Sequence, residues 1–501
     1  MKKLFNLKWA LIFALIFTYS CSNDDDASGP TTLDNEINDF VWEGMNYWYY
    51  YQDQVADLAD SKNDNQNSYF NFLNSYSTPE DLFNALVFSK EDDFSWFIED
   101  VEEQQNAFAG ISESFGLNIK PKIIQADGDG LAVVFVSYVI PNSPAEQAGV
   151  KRGDLIYKVN GIELTIDEFS EANELLSPTS PNVSIGIGTV EGGSFVKGSS
   201  DINLTAVQLN ENPVHFHSII EENGKKIGYL VYNSFVGTYH SELNDVFANF
   251  KAEGINELIL DLRYNGGGSV LTAALLASMI DGNRSTNTVF ANLQYNSKRD
   301  EEEGFAYPFF DEVFLFDKST FEYTGENIPM NRLTTLNRLY VIGSNSTASA
   351  SEMIINGLLP FMPVRLIGET TTGKNEGSIT VYDSGAPYTN SENRNPNHSF
   401  GMQPIVFQIF NSQNENDYDD GFDPDITIEE AAFAANILPF GDTNEVLLRV
   451  TLDDIAGMNA KGTQQFKGLK TFKTLSNLKP KKFSKEMYIL PSDEQLAGGA
   501  N

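Results

Sequence analysis

The chain changes its hydrophobic rhythm twice. Between residues 33 and 105, apolar residues recur three and four positions apart. In "LDNEINDFVWEGMNYWYYY" they fall at Ile37, Phe40, Val41, Met45 and Trp48, the spacing of one helix face. "STPEDLFNALV" supplies a helix start, with Ser77 or Thr78 as N-cap, Pro79 in the first turn and acids after it. This predicts a small helical domain with the aromatic cluster as its core. From about 108 the period shortens to alternating runs broken by glycines. "GLAVVFVSYVI" predicts a long strand or a strand pair, rich in β-branched residues. In "PNSPAEQAGVKRGDLIYKVNGIEL", Pro144 and Ala145 open a short helix that Gly149 ends, and Gly153 and Asp154 turn the chain into the strand "LIYKVNG".

Near residue 213 a third pattern begins. "KIGYLVYNSF" reads as a strand and "YHSELNDVFANFKAEG" as a helix ending at Gly254. "INELILDLRYNGGGSVLTAALLASMI" and "LNRLYVIGSNSTASASEMIINGLLP" each read as strand, loop, helix, and "VRLIGETTTGKNEGS" as a further strand and loop. Strands alternating with helices predict an α/β domain with largely parallel pairing. Its sites gather at the carboxyl ends of the strands, where the glycine loop and the serine cluster fall. "FDPDITI" reads as a closing strand and "TNEVLLRVTLDDIAG" as a terminal helix. From Lys461 the chain turns lysine-rich: Lys467, Lys470, Lys473, Lys479, Lys481, Lys482 and Lys485 follow. That stretch is expected to be solvated, or to touch anionic headgroups or the acidic body of the protein.

Composition then narrows the picture. The 501 residues carry a formal net charge of −37, which repels nucleic acid. Hydrophobic residues make up 41%, enough for packed cores. The first 20 residues fall outside them: Lys2 and Lys3 precede the apolar run "LFNLKWALIFALIFTYS", which reads as an export signal. The one cysteine, Cys21, stands where cleavage is expected and resembles the acylated cysteine of bacterial lipoproteins. "SNDDDASGPTT" behind it reads as a flexible tether, with acids that resemble the surface-export signal of Bacteroidetes lipoproteins.

Serine is a poor nucleophile until a base takes its proton. The chain has four histidines, and none lies between 241 and 397. Between 345 and 400 it has one lysine, Lys374, and burial in an apolar pocket would disfavour the ammonium and make the amine a base. The stretch "SPAEQAGVKRGDLIYKVNG" resembles PDZ domains. After it, "LILDLRYNGGG", "NSTASASE" and "GETTTGKNEGS" come in that order, and together they resemble the carboxyl-terminal processing peptidases, or tail-specific proteases. The resemblance implies that Ser349 is the nucleophile and Lys374, twenty-five residues on, its base. Helix-end and glycine amides predict an oxyanion hole from Ala350 and from Gly267 or Gly268. Glu352 fits a capping box with Ser349. Where many relatives carry a glutamine four residues after the lysine, this chain has Ser378, so Ser378, Glu376 or Asn375 is left to orient Lys374. In the PDZ resemblance, Phe115, Gly116, Leu117 and Asn118 would hold the terminal carboxylate of an added peptide strand.

The expected architecture is therefore multidomain α/β: signal peptide 1–20, tether 21–32, helical region 33–105, β-rich PDZ domain 106–208, α/β (crotonase/ClpP-like) peptidase domain 213–440, and terminal helix with lysine-rich tail 441–501. The expected activity is a lipid-anchored, exported serine endopeptidase of the outer membrane, on its periplasmic or cell-surface side. Its partners would be unstructured or C-terminal segments of proteins, with neither metal nor organic cofactor and no nucleic acid. Two alternatives stay open: a catalytically inactive PDZ/peptidase-fold binding platform, and a carrier of apolar ligands.

Overall fold

A computed structural model describes residues 32–120, 122–126, 130–458, 472–478 and 483–498. Cys21, the export signal and the tether up to residue 31 lie outside the described residues. The helical region contains α1 (Ile37–Trp48), α2 (Gln66–Leu73) and α3 (Pro79–Leu86). α3 starts as the sequence predicts: Thr78 Oγ1 accepts from the Asp81 amide at 3.1 Å and Pro79 takes the first turn. Phe40, Met45, Trp48 and Phe83 join one continuous core with residues of the α/β region, such as Leu260, Leu276 and Phe407. The aromatic cluster therefore closes one side of the α/β region instead of forming a core of its own. α4 (Val101–Phe108) follows a short strand, Trp96–Ile98.

The next unit is a twisted, mostly antiparallel sheet with its own core. β1 (Leu117–Ile119) and β2 (Lys122–Gln125) both pair with the single long strand β3 (Ala132–Val139). β4 (Leu155–Val159), β5 (Asn182–Glu191) and β6 (Ser194–Thr205) complete it. The short helix Pro144–Gln147 is capped by Ser143 and released at Gly149, whose φ of +83° suits glycine.

The α/β region is built on a six-stranded sheet in the order β7 (Val214–Glu222), β8 (Lys225–Tyr232), β9 (Glu257–Asp261), β13 (Leu339–Gly343), β14 (Val364–Gly368), β17 (Ile426–Thr427). The first pair is antiparallel and the other pairings are parallel. α5 (His240–Glu253) ends at Gly254 in the left-handed conformation, as the sequence predicts. α6 (Val270–Ile280) is buried at every residue, so it reads as apolar all round. α7 (Ala350–Leu358) and α8 (Val446–Ile455) follow β13 and β17. A second six-stranded sheet stands against the first: β10 (Gly268–Ser269), β19 (Met487–Tyr488), β15 (Glu376–Ser378), β16 (Ile405–Asn411), β11 (Val289–Tyr295) and β12 (Ala306–Pro308).

The described part of the lysine-rich stretch is not a free solvated tail. β18 (Lys473–Asn477) pairs antiparallel with β2, and β19 lies inside the second sheet. Leu478 and Met487 are buried, and Ala497 belongs to the main core.

Candidate active site

The carboxyl ends of β9, β13 and β14 lead into three loops that meet. The loop after β13 is held by its own hydroxyls. Ser344 Oγ donates to the Arg263 carbonyl at 2.5 Å, Thr347 Oγ1 to that of Leu262 at 2.8 Å, and Ser351 Oγ to that of Asn265 at 3.0 Å. Ser349 differs from these neighbours. It is fully buried, and its Oγ has no hydrogen-bond partner. Its backbone sits at φ 65°, ψ −120°, where a non-glycine residue stores about 1–3 kcal/mol of strain. The turn aims the side chain out of the loop at the start of α7, where free amides face it.

Glu352 does more than cap that helix. One carboxylate oxygen accepts from the amides of Ser349 at 2.8 Å and Lys374 at 2.9 Å; the other accepts from the Gly373 amide and Thr371 Oγ1, both at 2.6 Å. One buried carboxylate therefore ties the backbones of Ser349 and Lys374 together. Burial pushes its pKa up, and the four donors pull it back. The sequence marks Glu352 as a cap but says nothing of its bonds to the next loop.

Lys374 has no exposed surface. Its Nζ donates to the Lys485 carbonyl at 2.8 Å, lies 3.9 Å from Glu486 Oε2 and sits 4.8 Å over the Phe94 ring. Ser349 Oγ takes no bond from it. None of the residues expected to orient Lys374 hydrogen-bonds to it, although Glu376 is close enough for the lysine charge to act on its carboxyl. Glu376 Oε2 accepts from the Tyr51 hydroxyl at 2.8 Å, and burial raises its pKa to about 7. Ser378 Oγ donates to the Met487 carbonyl at 3.2 Å and accepts from Gln403 Nε2 at 2.9 Å. Asn375 Nδ2 donates to the Asn416 carbonyl. Gln403 brings a buried glutamine amide to the place where the local sequence has Ser378, from a strand whose pairing no local pattern reveals.

The two glycine candidates for the oxyanion hole separate. The Gly267 amide is turned inward, donating to Asn265 Oδ1 at 2.8 Å, so it does not face the site. The Gly268 amide faces it and donates to the Glu486 carbonyl at 2.5 Å. Ala350 is the buried first residue of α7, at its open end. A methyl group on Gly267 would touch both Ser349 Oγ and the Glu486 carbonyl, so these two atoms lie on the same side of the loop.

The expected carboxylate loop is also different in detail. Phe115 and Leu117 are core residues of the small sheet, and the Gly116 amide is taken by Ser114 Oγ at 3.0 Å. A Cβ on Gly116 would overlap Ser143, so its glycine serves close packing. Asn118 bonds the buried Tyr138 and lines a cleft of about 940 Å³ that runs to Gly266–Gly268.

Charged contacts lock the small sheet onto the α/β region. Arg152 reaches Glu430 at 2.8 Å and the Tyr264 hydroxyl at 2.7 Å, and Lys122 reaches Glu369, on the loop leading to Lys374, at 3.0 Å. Arg263 is buried and bonded to Asp261, Glu430 and Glu445, which makes it a brace for the glycine loop. His398 Nε2 is paired with Asp383 at 3.0 Å.

Three stretches of the chain resemble known protein families. Residues 226–428 match peptidase family S41, residues 36–96 the peptidase S41 N-terminal domain, and residues 135–187 the PDZ domain. The carboxy-terminal processing protease CtpA of Bacillus subtilis is 26% identical over 349 residues, 66% of this chain and 64% of that one. The chloroplastic carboxyl-terminal-processing peptidase 3 of Arabidopsis thaliana is 25% identical over 258 residues, 49% of this chain and 44% of that one. The chain thus spans less than two thirds of the length of these curated relatives. A crystal structure described as an S41 protease from Bacteroides fragilis NCTC 9343 superposes with a TM-score of 0.64 at 28% identity, covering 84% of this chain and 97% of that one.

Proposed function

We propose, for a chain that belongs to peptidase family S41 and carries a PDZ domain, that it is a serine endopeptidase using Ser349 and Lys374. The Ser349 hydroxyl attacks a peptide carbonyl of an extended protein segment, and the Lys374 amine takes its proton. The Gly268 and Ala350 amides bind the oxyanion; a donor of this kind is worth about 100- to 1,000-fold in rate. The amine then returns the proton to the leaving nitrogen, and water releases the acyl group from Ser349. The PDZ domain captures a C-terminal or unstructured segment by strand addition. The amino-terminal pattern supports export, with Cys21 as the lipid anchor on the outer membrane, at its periplasmic or cell-surface side.

One observation carries this reading. Among the neighbouring buried hydroxyls of its loop, Ser349 alone is unbonded, and it is held in a strained turn against a helix start. The test is cleavage of a denatured protein by the parent chain and by Ser349→Ala and Lys374→Ala, each checked for an unchanged melting temperature. Both substitutions are expected to lower the rate by about 1,000-fold or more. Cleavage by Ser349→Ala at the parent rate would reject the assignment.

A further inference from the structure

A segment of the chain itself lies against the candidate site, and its Ser484, Glu486 and Tyr488 line the cleft beside the glycine loop. Ser484–Ile489 runs between the glycine loop and the Lys374 strand. A Cβ on Gly266 would overlap the Ser484 carbonyl, and the Glu486 carbonyl accepts from the Gly268 amide at 2.5 Å. Met487 and Tyr488 pair in parallel with Gly268 and Ser269 on one side. On the other, Ser378 Oγ donates to the Met487 carbonyl at 3.2 Å, and the Ile489 amide donates to the Ser378 carbonyl at 3.3 Å. The segment is thus held on both edges, by backbone groups and the Ser378 hydroxyl, as an extended substrate would be. It also takes the chemistry: Lys374 Nζ is spent on the Lys485 carbonyl, while Ser349 Oγ has no partner.

Side chains lock it in. Trp96 Nε1 donates to Glu486 Oε1 at 3.2 Å and its ring lies 4.7 Å from that of Phe483. Tyr488 stacks on Phe108 at 4.0 Å with parallel planes. The segment is anchored on both sides of the channel. Upstream, β18 adds to the free edge of β2, and Leu475 and Leu478 pack against the PDZ core with Phe115, Leu117, Leu175 and Leu176. Downstream, Ala497 is buried in the main core. Tethering at both ends makes occupation of the channel an intramolecular event with a high effective concentration.

We propose that Ser484–Ile489 is a built-in occupant of the substrate channel that keeps the peptidase latent, while β18 occupies the PDZ edge. The inference rests on the reading of Ser349 as nucleophile. A substrate must displace this strand, and the enzyme is switched on by whatever draws Lys473–Asn477 and Ser484–Ile489 out of these two places.

The rate at which a serine-reactive phosphonate labels Ser349 in the full chain, followed by intact mass, tests this. Tyr488→Ala loses an aromatic stack and is expected to label about three- to tenfold faster. Met487→Asp sets a charge in a buried strand and is expected to label about 100-fold faster or more. A synthetic peptide of residues 483–490 should slow the Met487→Asp variant again. Melting temperatures identify which variants fold, and Tyr488→Ala, the milder change, suffices alone. Equal labelling rates in the parent and the folded variants would overturn the latency while leaving the peptidase reading intact. Absence of label in every folded variant would overturn the peptidase reading itself. Loss of the fragment Met487–Asn501 from the untreated parent would show the segment to be a substrate and would also overturn the latency.

Discussion

The PDZ edge and the catalytic channel both receive a strand, and here both receive one from the same chain, but they hold it differently. At the PDZ edge, β18 is paired on one side, and Leu475 and Leu478 fill apolar space. In the channel, β19 is paired on both sides, and the closest approaches come from three successive glycines and backbone carbonyls. The first place reads side chains. The second holds mainly the backbone, which every peptide offers, with Trp96 and Phe108 adding contacts to Glu486 and Tyr488. On the proposed reading, a peptidase would choose its substrate at one site and cut at the other.

Four substitutions break or sharpen this contrast. Glu352→Ala should do most damage, and only to the channel. It strands three buried amides and a hydroxyl, each unpaired donor costing ~1–3 kcal/mol, so a stability loss of ~4 kcal/mol or more is expected in urea denaturation. Glu376→Gln sharpens the channel's pH response. In the fold its pKa is raised to about 7 from 4.5, so the parent binds a proton more tightly when folded. The parent should therefore lose stability as pH rises from the unfolded value through about 7, by up to ~3 kcal/mol, and the glutamine variant should lack that decline. Thermal melts from pH 4 to 8 compare the two. Gly267→Ala places a methyl against Ser349 Oγ and the Glu486 carbonyl at a φ of +112°, where a non-glycine residue costs ~1–3 kcal/mol, and the melting temperature should fall accordingly. Leu478→Ala breaks only the PDZ contact. It should cost ~2 kcal/mol of docking, read as faster proteolysis of the stretch around β18, with Ser349 labelled at least as fast as in the parent because the upstream tether is loosened.

The alternation of strand and helix, the helix ends at Gly254 and Gly149, and the serine and glycine loops were all legible along the chain. Each depends on neighbours in sequence: a run of β-branched residues, a glycine at positive φ, hydroxyls before a helix. What stayed hidden depends on distant partners. Glu376 turns to Tyr51, 325 residues away, and Gln403 comes to Ser378 from another strand. The Gly267 amide faces inward because the Asn265 side chain takes it, a matter of rotamer that no pattern encodes. The lysine-rich stretch misleads most. Its short strands are too brief for a periodic signal, and their lysines read as solvated while Lys485 offers its backbone carbonyl to Lys374. Glu352 was visible as a cap, but its hold on the lysine loop needed the fold.

The most direct measurement is peptide mapping after saturation with a serine-reactive phosphonate. The account predicts a single adduct, on Ser349, that is missing in Ser349→Ala. An adduct of the same yield on another serine, or none after full incubation of both the folded parent and the folded Tyr488→Ala variant, would contradict it.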